Sequence, residues 1–330
     1  MTNTVLITGA TGFIGRALCQ ALASRGGNTL RMAVRHQLPD ADASHALGDV
    51  VVTGDINAQT NWQRALAGVD AIVHTAARAH ILADRSKDPL AEFRRINVDG
   101  TLNLARQSMA AGVRRFIHVS SIGVNGNQTP LGQPFTERSP ADPQDAYAVS
   151  KLESELGLHE LLKGSQTELV IIRPPLVYGP GAPGNFRRLL KLAASGLPVP
   201  LGDIHNKRSL VALDNLIDLM ITCIDHPAAA NQIFLVSDGE DLSTTELFLN
   251  MRAALRVPPR MLPIPVFILQ AGAAVLGRKA LAQRLCQSLQ LDISKARTLL
   301  GWSPPVTIDQ ALRESVKGDD GALVSSQITA

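Results

Sequence analysis

Residues Thr8-Gly-Ala-Thr-Gly-Phe-Ile-Gly15 set three glycines at three-residue intervals, directly after a short β-branched run and directly before a helical pattern. Few short stretches constrain a fold more. The first glycine permits a sharp strand-to-helix turn, and the second lets backbone approach a ligand closely. The third lets helix pack against strand, while the free amides of the helix N-terminus face an anion such as a pyrophosphate. A glycine triplet alone is a weak signal, and an unliganded glycine-rich turn is its plainer reading. Placement at the start of a βαβ unit is the context that gives it meaning.

The following chain keeps that alternation. Apolar strands are expected at Thr4–Thr8, Thr29–Arg35, Val50–Thr53, Ala71–His74, Phe116–Ser120 and Leu169–Arg173, with helices at Gly12–Arg25, Trp62–Ala67, Pro89–Ala111 and Tyr147–Lys163. Continuous apolar strands between helices predict a parallel sheet covered on both faces. The expected fold class is therefore α/β: a Rossmann-like doubly wound sheet with a smaller C-terminal α/β part that binds substrate. After Pro174 the pattern breaks into Pro/Gly-punctuated loops. Residues 1–173 are read as the dinucleotide-binding domain and 174–317 as the substrate part, with the chain crossing back to the first. Residues 318–330 are read as a flexible tail.

Composition excludes several classes. A net charge of +3 without a basic, aromatic-interleaved stripe gives no basis for nucleic-acid binding. Cys19, Cys223 and Cys286 are odd in number and far apart, so neither a disulfide framework nor a metal site is expected. The N-terminus shows no signal-peptide pattern, and a cytoplasmic location is expected. The apolar run Met261–Gly277, followed by Arg278 and Lys279, is short for a bilayer span and holds two prolines near its start. It is read as a buried helix or oligomer contact, in preference to a membrane-surface helix. Stable membrane insertion is not expected.

Two further features carry chemistry. Tyr147 and Lys151 stand at i and i+4, on one helix face. A lysine ammonium beside a phenol favours the phenolate, which would let Tyr147 exchange a proton near neutral pH. Spacing of this kind also arises by chance, as a half-buried tyrosine with a solvated lysine. Second, the end of the second strand holds Arg35 where an NAD-binding fold commonly places a carboxylate for the ribose hydroxyls. An arginine there suits a 2′-phosphate, so NADP(H) is favoured over NAD(H). Asp55, after the third strand, is placed to accept from the adenine amino group.

Taken with His74-Thr-Ala-Ala77, Asn97-Val-Asp-Gly-Thr101 and Ser120-Ser121, these features make the chain resemble the extended short-chain dehydrogenase/reductase family over about residues 3–312. The likeness is to its nucleotide-sugar epimerases, dehydratases and 4-ketoreductases. It implies that Tyr147 is the acid/base, that Lys151 lowers its pKa and holds the nicotinamide ribose, and that Ser121 rather than Ser120 bonds the reacting sugar oxygen. It implies cofactor contacts from Gly9, Thr11, Gly12, Phe13, Ile14, Gly15, Arg35, Asp55, Ile56, Thr75, Ala76, Ala77, Tyr147, Lys151 and Pro174. Asn97 joins them, with a structural role equally open.

In the second half, Arg173-Pro-Pro-Leu-Val-Tyr-Gly-Pro180 is similar to the family's R-x-x-N-V-Y-G-P, with Leu176 in the asparagine's place. The resemblance puts Asn185 near the nucleotide diphosphate and gives Arg208 the grip on the pyrophosphate. Asp292-Ile-Ser-Lys-Ala-Arg-Thr-Leu-Leu-Gly-Trp302 matches a structural ending of the family.

Ile122 and Gly123 stand where sugar 4,6-dehydratases carry Asp-Glu, so dehydration is not expected. Two readings remain. The favoured one, tilted by Arg35, is NADPH-dependent reduction of a UDP-4-keto-6-deoxy-N-acetylhexosamine for surface polysaccharide. The alternative is a UDP-sugar 4-epimerase of the UDP-glucose or UDP-GlcNAc type, with tightly held NAD. Steroid-like or flavonoid-like carbonyl substrates, and a dinucleotide-binding sensor without chemistry, rank lower. The resemblance also implies a homodimer through the helices at Pro89–Ala111 and Tyr147–Lys163.

Overall fold

The structure, a computed structural model, describes residues 3–39, 42–79, 88–277 and 279–317. The tail assigned to 318–330 lies outside the described residues. Strand β1 (Asn3–Thr8) feeds helix α1 (Phe13–Arg25), followed by β2 (Asn28–Val34), β3 (Asp49–Val52), α2 (Gln63–Leu66) and β4 (Ala71–His74). Then come α3 (Pro89–Phe93), α4 (Thr101–Ala110), β5 (Arg115–Val119), α5 (Ala146–Leu162) and β6 (Glu168–Arg173). The second half contributes β7 (Leu176–Tyr178), α6 (Asn185–Ala194), β8 (Arg208–Ala212), α7 (Leu213–Asp225), β9 (Gln232–Leu235) and β10 (Asp241–Leu242). Helices α8 (Thr244–Leu255), α9 (Val266–Val275), α10 (Lys279–Cys286), α11 (Ser294–Leu300) and α12 (Ile308–Lys317) complete it.

The main sheet has seven strands in the order β3-β2-β1-β4-β5-β6-β9, paired in parallel throughout. This is the doubly wound Rossmann-like sheet expected. The strands read as unbroken apolar runs because both faces are covered. In β1, Val5 and Ile7 point into one core with Leu18 and Leu22 of α1 and Leu216 and Met220 of α7. Leu6, between them, points into the other, with Trp62, Leu104, Phe116 and Leu158. Strand order reverses at β1 and β4, so the glycine turn emerges at the sheet's switch point, where α/β sheets bind ligands.

The chain beyond Pro174 builds a three-stranded sheet, β10-β8-β7. Around it lies a second core of Tyr178, Phe186, Leu190, Phe248, Met251 and Leu312. Strand β9 crosses back to close the edge of the main sheet, in register with β6 from Val170↔Gln232 to Arg173↔Leu235.

Two expectations are corrected. The helix over Pro89–Ala111 is interrupted, because Arg94–Gly100 forms a π-helical segment between α3 and α4. Extra residues in a turn re-aim side chains, and π segments often lie at functional sites. Here the segment buries Asn97 and brings Gly100 against Ile56, where a Cβ would lie 2.6 Å from the Ile56 Cγ2. The second correction concerns Met261–Gly277. Its helix, α9, has no buried residue, so it is not a core helix. Val266 and Leu269 rest on the smaller core, while Phe267 is 70% and Val275 87% exposed. No helix among the described residues is long and apolar enough to cross a membrane.

Gly15 permits the closest approach in the first βαβ unit: a Cβ there would lie 2.1 Å from the Gly9 carbonyl oxygen. Gly15→Ala should therefore force α1 off β1 and lower stability by about 3 kcal/mol or more. Gly272, in α9, has nothing within 4 Å of its built Cβ, so Gly272→Ala should leave stability equal or slightly raised. Thermal unfolding of the two variants checks both; a Gly15→Ala protein as stable as the parent would refute the packing account.

Candidate active site

Helix α5 carries the expected acid/base pair. Asp145 starts it, its Oδ1 accepting from the Ala148 amide at 2.8 Å. That cap fixes Tyr147 in the first turn and Lys151 one turn on. Tyr147 is half-buried, its ring edge-on to Phe93 at 6.0 Å between centroids. Lys151 is buried, and its Nζ donates to the Val119 carbonyl at 2.6 Å. The lysine thus reaches the end of β5, next to Ser120 and Ser121.

The two serines differ sharply. Ser120 is buried and its hydroxyl donates to the Glu155 carboxylate. Ser121 is half-buried and accepts only from the Gly123 amide, at 3.1 Å, so its proton is left to donate. Of the two hydroxyls, Ser121 is the one not given to a carboxylate.

The electrostatics depart from expectation. Burial, with the Asp145 carboxylate adding to it, pushes the Tyr147 phenol up to about 12. Burial also lowers the Lys151 ammonium to about 8, against the opposing attraction of Glu155. The lysine is committed to the Val119 carbonyl, and desolvation dominates at the phenol. The phenol is therefore held protonated at neutral pH in this state, contrary to the expected downward shift.

Beneath the pair lies a network that the motif reading passed over. Glu155 stands one turn beyond Lys151 on the same face, 2% exposed, and takes both Nε and Nη2 of Arg173 at 2.5 to 3.2 Å. Arg173 Nη1 donates to Asn125 Oδ1 at 3.0 Å, tying the segment after Ser121 to the end of β6. Bidentate geometry on every available donor is what makes a buried ion pair tolerable. Two signals could have exposed it: the i+4 spacing of Lys151 and Glu155, and an arginine ending the apolar run Leu169–Arg173.

At the switch point, the Thr8 and His74 side chains bond at 2.7 Å, and Thr75 Oγ1 donates to the Thr8 carbonyl at 2.7 Å. These ties seat Gly9, whose φ is +71° and whose built Cβ would meet the Ala76 backbone at 2.8 Å. Gly12 caps α1 with no side-chain bond, so Phe13, Ile14 and Gly15 begin the helix with amides free of a side-chain cap. A turn this tight, with a helix N-terminus behind it, fits a dinucleotide pyrophosphate. Thr11 is exposed on the turn, and Thr75, Ala76 and Ala77 line the exit of β4. Pro174 accepts from the Ile122 amide at 3.0 Å, closing the far side.

Four predicted contacts are otherwise engaged. Arg35 Nε lies 3.0 Å from Asp55 Oδ1, both side chains mostly exposed, so the two expected adenosine contacts pair with each other. Ile56, beside them, packs against Gly100. The buried Asn97 amide is spent within the protein: Oδ1 accepts from the Arg78 amide at 2.8 Å, and Nδ2 donates to the Arg78 carbonyl and to Ser150 Oγ. These bonds pin the segment after β4 to α5.

In the smaller part, Asn185 is exposed at the first turn of α6. Arg208 begins β8, and its Nη1 donates to the carbonyls of Arg284 and Gln287, each at 2.9 Å. Burial and the Arg284 charge lower its pKa, a setting in which an added anion would be stabilising. Tyr178 donates to the half-buried Asp238 at 2.8 Å, and Asp238 also holds Asn215 and the Ala212 amide. Among the described residues no group of His, Cys, Asp and Glu could hold a metal.

The depressed Lys151 pKa has a stability consequence. Between about 8 and the ordinary 10.5 the unfolded chain binds a proton that the folded one does not, so the stability cost is full below pH 8 and lost as pH rises toward 10.5. Lys151→Met should raise stability at pH 7 by about 1–3 kcal/mol, with the gain vanishing near pH 10.5. Chemical denaturation of both proteins across pH 7–10.5 checks this, and a pH-independent difference would contradict it.

Comparison with known proteins agrees with this geometry. The sequence profile described as "NAD dependent epimerase/dehydratase family" matches residues 5–237. A UDP-glucose 4-epimerase of Vibrio cholerae is 43% identical over 318 residues, covering 96% of this chain and 95% of that protein. An N-acetyl-α-D-glucosaminyl-diphospho-ditrans,octacis-undecaprenol 4-epimerase of Escherichia coli is 28% identical over 337 residues, 96% of this chain and 95% of that protein. Among solved structures, the UDP-glucuronic acid 4-epimerase of Bacillus cereus in complex with NAD shares the fold with a TM-score of 0.77. It is 22% identical and covers 97% of this chain and 99% of its own. With the glycine turn, the Tyr147–Lys151 helix face and Ser121 brought to one end of a doubly wound sheet, the chain belongs to the NAD-dependent epimerase/dehydratase family.

Proposed function

We propose that this chain is a UDP-sugar 4-epimerase of the UDP-glucose or UDP-GlcNAc type, with NAD held in the site. The observation that carries the reading is the 43% match to a UDP-glucose 4-epimerase along nearly the whole of both chains. The E. coli relative, named for another sugar diphosphate, shares with it epimerisation at C4. Dehydration stays disfavoured by Ile122 and Gly123. The reductase reading rested on Arg35 as a free 2′-phosphate ligand, and Arg35 is drawn to the Asp55 carboxylate instead. A carboxylate there compensates the arginine and repels a phosphate, which favours NAD.

In this reading Gly9, Thr11, Gly12, Phe13, Ile14 and Gly15 cradle the pyrophosphate, and Arg35, Asp55 and Ile56 flank the adenosine. Thr75, Ala76, Ala77 and Pro174 line the nicotinamide end, with Asn97 acting through the Arg78 backbone. Bound NAD supplies the hydride acceptor and donor for the sugar's C4. Tyr147 Oη takes the proton of the C4 hydroxyl as that carbon is oxidised and gives it back when the carbon is reduced from the other face. Ser121 donates to the same oxygen and keeps it in line. Lys151 holds the ribose and supplies positive charge beside the phenol; transfer of its ammonium from the Val119 carbonyl to that ribose would bring the phenol's pKa down from its buried value. Arg208 and Asn185 receive the diphosphate.

The purified protein should release close to one equivalent of NAD, rather than NADP, on denaturation, and interconvert UDP-glucose and UDP-galactose without added cofactor. Tyr147→Phe should keep the nucleotide and lose at least about a hundredfold in turnover. Bound NADP, or an empty site that consumes NADPH with a 4-keto sugar, would return the reading to the reductase. Unchanged turnover in Tyr147→Phe would remove the acid/base assignment.

A further inference from the structure

The smaller part of the molecule exposes a helix that water alone does not explain. Among the side chains of α9 only Gln270 is polar, and none of its residues is buried. A helix apolar on every side belongs in a core or against another apolar phase. Its exposed side chains continue into neighbouring loops. Leu262 is 47% exposed and Leu197 63%, and their segments are zipped together by Leu262 N to Val199 O at 2.8 Å and Gly202 N to Leu262 O at 3.0 Å. Phe267, Ile268, Val275 and Leu276 add exposed large apolar side chains on α9 and just after it, so α9 and the segments beside it carry an apolar tract.

The segments that carry the tract hold charge of one sign. Residues 247–291 contain six lysines and arginines and no carboxylate, and 169–202 contain no carboxylate either, although the whole chain is only +3. Arg256, Arg260, Lys279 and Arg284 are exposed on the elements flanking α9. The buried Arg252 stiffens the base, donating to the Leu197 and Arg260 carbonyls at 2.5 and 2.7 Å. A second copy of the chain is a poor cover, because a two-fold contact through this tract would bring its cations against themselves. An anionic phase offers both an apolar interior and opposite charge at its rim.

From this juxtaposition we infer that α9 and its basic flanks form a peripheral docking surface for a bilayer containing anionic phospholipid. The helix lies in the interface with Phe267, Val275 and Leu276 among the acyl chains, and Arg256, Arg260 and Lys279 meet the headgroups. A helix of ten residues lies on a bilayer and does not span it. Helix α10 packs on α9 and ends at the carbonyls that hold Arg208, so the docked bilayer borders the smaller part of the site and not the glycine turn. This surface goes beyond the proposed reaction and does not depend on it.

Flotation of the full chain with vesicles tests it. With phosphatidylethanolamine vesicles holding about a quarter phosphatidylglycerol, at about 0.1 M salt, the protein should float, and about tenfold less with pure phosphatidylcholine. Phe267→Ser combined with Val275→Ser, and separately Arg256→Glu combined with Lys279→Glu, should each reduce flotation about tenfold. Melting temperature and sugar-nucleotide turnover should stay unchanged in both, which separates lost docking from lost folding. If turnover is absent in every protein, the proposed reaction fails while flotation still reads the surface. No flotation, equal flotation on neutral vesicles, or variants that float like the parent would overturn the inference. A dimer in sedimentation velocity that Phe267→Ser with Val275→Ser dissociates would assign the tract to a second copy and overturn it equally.

Discussion

The absence of a side chain at Gly15 is the constraint on which the molecule depends. With a Cβ there only 2.1 Å from the Gly9 oxygen, no other residue lets α1 leave β1 at this angle. The angle aims the helix N-terminus at the switch point between β1 and β4, and the Thr8–His74 bond locks those strands beside it. Everything that follows is arranged around that fixed end. Strands β4 and β5 deliver Thr75 and Ser121 to it, and α5 lays Tyr147 and Lys151 alongside.

The second half of the site depends on one face of α5. Lys151 and Glu155 occupy successive turns, and each is fully desolvated, yet they serve opposite ends of a single support. Lys151 holds the β5 carbonyl beside the serines, and Glu155 gathers Ser120, Arg173 and through it Asn125. Removing either partner of the buried Glu155–Arg173 pair would strand a charge at about 3–5 kcal/mol, so those two residues are retained together. The arrangement spends folding energy on fixed charge beneath Ser121 and Tyr147. Active sites commonly make that exchange.

Much of this was legible in the sequence, for specific reasons. Parallel strands buried on both faces read as unbroken apolar runs, so β1, β4, β5 and β6 stood out, and the glycine turn fixed their polarity. Tyr147 and Lys151 were visible because helical spacing is rigid. The π segment at Arg94–Gly100 was not, since it depends on Asn97 finding the Arg78 backbone and Ser150 across space. The Arg35–Asp55 pair was missed because it bridges the ends of two strands whose register only the folded sheet supplies. The direction of the Tyr147 shift was missed for a related reason: spacing reports a neighbouring charge but not desolvation. For Met261–Gly277, read as a buried helix or an oligomer contact, only the buried helix is overturned, because apolar composition does not say where a helix packs.

The account's central claim is that Tyr147 passes one proton back and forth at a carbon whose hydrogen never reaches solvent. Converting UDP-glucose in deuterium oxide and reading the UDP-galactose by proton NMR tests this most directly. The claim predicts product that keeps its C4 hydrogen, with no deuterium at that carbon. Deuterium at C4, or no product at all, would contradict it.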